Sequence, residues 1–139
     1  MDCPGVQGFR LLMLDDDERS SISVVTPERR VFPLDYRDVV TRGFSTLGAK
    51  AEWRMAKVDG KLMPVAVIVR VHSLDQSDLE YPKRVSFLAV AKISPDGACV
   101  TRAVEVLGPE AYEQARRFAN DRHLECLRTD LKSKPQMKG

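Results

Sequence analysis

Apolar and polar positions alternate with a period of two through the middle of the chain, which marks strands rather than helices. From Lys50 to Val58, Ala51, Trp53 and Met55 fall on one face and Glu52 and Arg54 on the other. Asp59-Gly60 follows, a pair that favours positive φ at both positions of a tight hairpin turn. Leu62 to His72 reads as the return strand. Its Val65, Val67, Val69 and Val71 share one face, while Ala66 and Ile68 lie on the other. Apolar residues on both faces predict a central strand covered on both sides. Arg84 to Ile93 and Cys99 to Leu107 give two more strands, joined by Pro95-Asp96-Gly97. Short turns of this kind force antiparallel neighbours.

The period changes after Gly108. Pro109 and Glu110 suit the first turn of a helix. Ala111, Ala115, Phe118 and Ala119 then recur at helical spacing, with Glu113, Gln114, Arg116 and Arg117 on the opposite side. Before the meander, Phe9 to Leu14 and Ser21 to Thr26 flank the acidic run Asp15-Asp16-Asp17-Glu18 and read as a hairpin. Residues 35–42 predict a short helix, with Asp35 as N-cap and Gly43 as stop. The expected fold is one α+β domain over residues 1–127. It is an antiparallel β-meander of about four to six strands, with the N-terminal hairpin extending or covering it and one main C-terminal helix packed on the sheet. Residues 128–139 read as a polar, disordered tail.

Composition narrows the function classes. Twenty-two basic and 20 acidic side chains leave a formal charge of +2. That balance argues against a dedicated nucleic-acid binder. The longest apolar stretch, Met63 to Val71, is interrupted by Pro64 and Arg70 and is too short for a membrane span. Met1-Asp2-Cys3-Pro4 shows no signal-peptide pattern. Either the chain is cytoplasmic, or Met1 stands where a leader has been removed.

Candidate chemistry is sparse. The three cysteines, Cys3, Cys99 and Cys126, each sit where an element begins or ends. They are either free thiols packed as small hydrophobes, or two of them form a disulfide. Cys99–Cys126 is the favoured pair, since it would pin the helix end to the sheet. Without a Cys-x-x-Cys, a redox-active thiol has little support. His123 and Cys126 have ligand spacing, but His72 is the only other histidine, so no metal site is expected. The acidic run lacks the spacing and central glycine of a calcium loop. No nucleophile elbow, phosphate loop or dinucleotide fingerprint occurs, so no catalytic residue and no cofactor are assigned. Trp53, Arg54 and Arg70 are candidate ligand or partner contacts, because Trp and Arg are enriched where binding energy concentrates; against this, Ala51 and Met55 flank Trp53 on the same face and favour a core position for its ring. An enzymatic alternative groups Glu52, Arg54, Arg70 and His72 in one cavity. A cytoplasmic regulatory module is a third reading.

Cys3-Pro4-Gly5-x-x-Gly8, Leu47-Gly48 before Glu52-Trp53-Arg54, Pro64-x-Ala66-x-Ile68-x-Arg70, Gly97-Ala98-Cys99-Val100 and Ala115-Arg116-x-x-Ala119-x-Asp121 ending at Cys126 occur in that order. Together they resemble a group of small exported proteins of alphaproteobacteria with no assigned activity. The resemblance covers most of residues 3–126. It implies a periplasmic location, a cleaved leader and structural cysteines. A further cysteine precedes the Cys-Pro-Gly turn in similar sequences; its absence here leaves Cys3 without the implied partner and supports the Cys99–Cys126 pair. The polar extension after Cys126 departs from the usual ending. The expected function is a non-enzymatic binding or interaction module whose partner is an envelope protein or a small ligand. Its oligomeric state is not specified by any residue.

Overall fold

A computed structural model describes residues 2–3, 5–16, 19–41, 43–75, 80–94 and 96–127. The polar tail assigned to 128–139 lies outside these. Strand makes up 58% of the structure and helix 11%. Eight strands form two separate antiparallel sheets of four among the described residues. The first contains β1 (Asp2–Cys3), β2 (Arg10–Asp16), β3 (Arg19–Val25) and β4 (Val31–Pro33) in sequence order. The second contains β5 (Ser45–Val58), β6 (Lys61–Asp75), β7 (Lys83–Ser94) and β8 (Gly97–Glu105), again in sequence order. Two short helices, α1 (Tyr36–Val39) and α2 (Ala111–Asn120), complete the elements.

This corrects the expected α+β meander with a main C-terminal helix. The cause is burial. Leu11, Ile22 and Val24 form an inward apolar stripe that must be covered, and so do Val67, Val69 and Val71 on the large sheet. Stacking the sheets face to face buries both stripes in one core, with Phe9, Leu34 and Tyr36 between them. The hairpin therefore belongs to a second sheet that covers the first, the second of the two expected arrangements. The opposite face of the large sheet packs Ala66, Ile68, Leu88, Val90 and Val104 against Ala111, Ala115 and Ala119 of α2. The order of layers is small sheet, large sheet, helix. As the alternation on β6 predicts, that strand is buried on both sides.

Local chemistry sets the joints. Asp59 and Gly60 have φ of 51° and 81°, the turn their sequence favours. Asp35 occupies the N-cap of α1 with φ 54°, but its side chain caps no helix amide. The helix ends at Val39, ahead of Gly43, so the expected 35–42 helix is only one turn long. β5 bulges against β6 between Leu47 and Ala51, and β6 bulges at Val65. β8 bulges at Thr101, whose buried hydroxyl donates to the Val90 carbonyl at 3.3 Å. After α2 the chain returns along the outer edge of β8, where the Leu127 N–H donates to Val100 O at 2.7 Å.

Candidate functional site

Cys99 opens β8 beside the β7–β8 turn, and Cys126 ends the return segment from α2. Their Cα atoms are 5.6 Å apart and a disulfide joins them. The bond fastens 121–127 to the sheet edge together with the Leu127 amide and the Lys92 ammonium, which donates to Leu124 O at 2.8 Å. Disulfides of this structural kind persist in oxidising compartments. Among the described residues no helix is long and apolar enough to cross a membrane.

The disulfide forms one wall of a groove of about 460 Å³. Phe32 of β4, Val65 at the β6 bulge, Ile93 of β7 and Ala98 of β8 supply its apolar surface. Three distant parts of the chain meet here because the small sheet lies across the turn end of the large one. The Phe32 ring passes 3.9 Å from where a Cβ on Gly97 would sit, which brings the β4 ring to the β7–β8 turn. Lys92 and Arg122 bring positive charge to the rim and Asp96 brings negative charge. Arg30 stacks over Phe32 at 5.1 Å and fixes the ring from outside. A groove of this volume, mostly apolar with a few polar groups, is within the range that accepts small organic ligands. A second, more polar hollow of about 600 Å³ lies on the outer face of the small sheet, between Arg10, Arg29 and Val31.

The sequence-predicted contacts do not converge. Trp53 and Arg54 are neighbours on one strand, so the pleat sends them to opposite faces. Trp53 packs half-buried against the inter-sheet core. A Cβ on Gly5 would come within 2.8 Å of its ring, so the N-terminal turn covers it. Arg54 sits on the helix face opposite Ala66, and Arg70 lies two pleats further along β6. Glu52 shares that face and is already engaged. Arg116 of α2 donates to both its oxygens at 2.8 Å, and Arg54 donates at 3.2 Å. The Arg116 hydrogen bonds lower the Glu52 carboxyl pKa below its ordinary value; partial burial opposes this and the two guanidinium charges reinforce it. Glu52 therefore ties α2 to β5.

His72 is exposed, with Nδ1 3.0 Å from Ser86 Oγ. His123 is also exposed, and the sulfur of Cys126 is committed to the disulfide. Among the described residues no three His, Cys, Asp or Glu side chains gather to hold a metal ion. In the acidic run, Asp15 accepts a hydrogen bond from Ser20; Asp17 and Glu18 lie outside the described residues.

Phe32, Ile93, Ala98 and Arg122 were not singled out by the sequence. They come from separate elements with no shared spacing, and only Cys99, Cys126 and the Gly97-Ala98-Cys99-Val100 motif pointed to the region. Comparison with family models, with curated proteins and with solved structures finds no match to this chain.

Proposed function

We propose that this chain is a non-catalytic binding module of an oxidising compartment. Its groove at the disulfide takes an apolar group that carries an acidic substituent. The observation that carries this reading is the groove itself: an apolar floor from both sheets, a covalently fixed wall and a rim where Lys92 and Arg122 outnumber Asp96. The compartment is the periplasm, as the sequence resemblance implies, and the disulfide supports an oxidising one. The enzymatic alternative is less well supported, because a general base working near neutral pH needs a raised carboxyl pKa, whereas that of Glu52 is lowered. A cytoplasmic regulatory module would have to keep its thiols reduced, which the disulfide opposes.

Anilinonaphthalene sulfonate joins aromatic rings to an anion and is a direct probe. The oxidised native protein is expected to bind it saturably, one to one, with enhanced emission. Ala98→Trp fills the groove and is expected to abolish the signal while the protein retains a cooperative thermal transition. Arg122→Glu is expected to weaken binding without abolishing it. Absence of saturable binding, or binding unchanged by Ala98→Trp, would overturn the assignment.

A further inference from the structure

We propose that the helix-side face of the large sheet carries an oxyanion-binding site built on Arg70, with His72 and Ser86 beside it. Arg70 lies on β6, a central strand, yet its Nε is buried and has no hydrogen-bond partner. Buried guanidinium nitrogens are rarely left unpaired, because the lost hydration is not returned. The residue as a whole remains partly exposed, so a solute can approach the outer end of a guanidinium whose charge is left uncompensated at the inner, closed-off Nε.

The surroundings select the sign of that solute. His72 follows two positions along the same strand face, about 7 Å away. Ser86 Oγ lies 3.0 Å from His72 Nδ1, which orients the ring and leaves Nε2 as its second polar atom. The register partners in these rows are Thr46, Ser86 and Leu88, none of them acidic. Arg84 lies opposite Leu74, one pleat further on, and adds positive charge to the same face. Glu52 is on this face too, but its carboxylate already accepts from Arg116 and Arg54. Gly48 on β5 lets the backbone come close: a Cβ there would stand 3.1 Å from Arg70 Cβ. A cationic fork with an adjacent imidazole and hydroxyl suits a carboxylate or a phosphate, which offers several acceptor oxygens to one guanidinium. This face is distinct from the disulfide groove, and the two assignments stand or fall separately.

The experiment is a proton NMR titration of the imidazole resonances at fixed pH and constant ionic strength, with chloride exchanged for acetate in one arm and inorganic phosphate in the other. The chain has two histidines, so His123 serves as the internal control. A saturable shift of His72, with His123 unmoved, is expected in at least one arm. Tighter binding of acetate would mark a carboxylate-bearing ligand, and tighter binding of phosphate a phosphorylated one. Arg70→Met is expected to weaken binding about tenfold or more, since it removes hydrogen bonds to a charged group. Ser86→Ala leaves Arg70 in place and is expected to weaken binding less; it keeps the proposal open to refutation if Arg70→Met does not fold. A His72 shift that is linear or absent in both arms would overturn the site. So would a saturable shift that survives Arg70→Met, or one that Ser86→Ala leaves unchanged when Arg70→Met does not fold.

Discussion

Replacing both Cys99 and Cys126 by alanine removes the covalent closure of a chain segment with a sequence separation of 27. In the chain-entropy model a loop of that size contributes about 3.5 kcal/mol at room temperature, because the unfolded chain regains the freedom that the bond denied it. The native state loses little else directly. Lys92 still reaches Leu124 O, and the Leu127 amide still reaches Val100 O. Most of the cost should therefore appear as a stabilised unfolded state. With a urea m value of about 2 kcal/mol/M, the midpoint should fall by about 1.5–2 M. Trp53 is the sole tryptophan and is half-buried in the inter-sheet core, so its fluorescence reports global unfolding. Far-UV circular dichroism of the same samples tests whether loss of the sheets coincides with it. The wild type treated with reductant should match the double variant. A loss below about 1 kcal/mol would refute the entropic argument and mean that the cross-link restricts the unfolded chain very little.

Three other outcomes follow from two buried side chains and one partly buried ion pair. Tyr36 is 1% exposed, and its hydroxyl is buried with no hydrogen-bond partner. Burial pushes its phenol pKa above the ordinary value. Tyr36→Phe deletes an unsatisfied group at little cost in shape, so thermal denaturation should show unchanged or raised stability, by up to about 1 kcal/mol. Ala115 is fully buried between α2 and the sheet; Ala115→Leu overpacks that layer and should cost about 1–3 kcal/mol by urea titration. Glu52 has a lowered carboxyl pKa in the folded state. Its contribution is thus present above the ordinary value of 4.5 and lost as pH falls through the lowered folded value. The stability gap between wild type and Glu52→Gln should be open at pH 7 and should narrow below about pH 4; a gap independent of pH would contradict the pairing with Arg116.

Much of the large sheet was legible because its signals are local. Asp59-Gly60 requires positive φ, Val67 and Ile68 declare two buried faces, and the alanine stripe of α2 needs only its own spacing. Membership of a sheet is not local. β1 and β4 are two and three residues long, too short to show a period. Whether the β2–β3 hairpin joined the meander or stacked on it depended on which face of β6 lacked cover. Part of the candidate site was within reach: period two already places Trp53 and Arg54 on opposite faces, so they could not share a ligand cavity. The disulfide groove was not, because Phe32 meets Ile93 and Ala98 only through the crossing of two sheets. Arg70 shows its importance only as a buried nitrogen without a partner, which no sequence pattern announces.

The disulfide groove is the proposed ligand site. An amide-resolved NMR titration of the oxidised protein with anilinonaphthalene sulfonate tests it most directly. Saturable shifts are expected at Ile93, Ala98, Cys99 and Arg122, with Leu12 and Leu14 on the outer face of the small sheet unmoved. Shifts centred on Leu12 and Leu14, or spread evenly over both sheets, would rule the groove out.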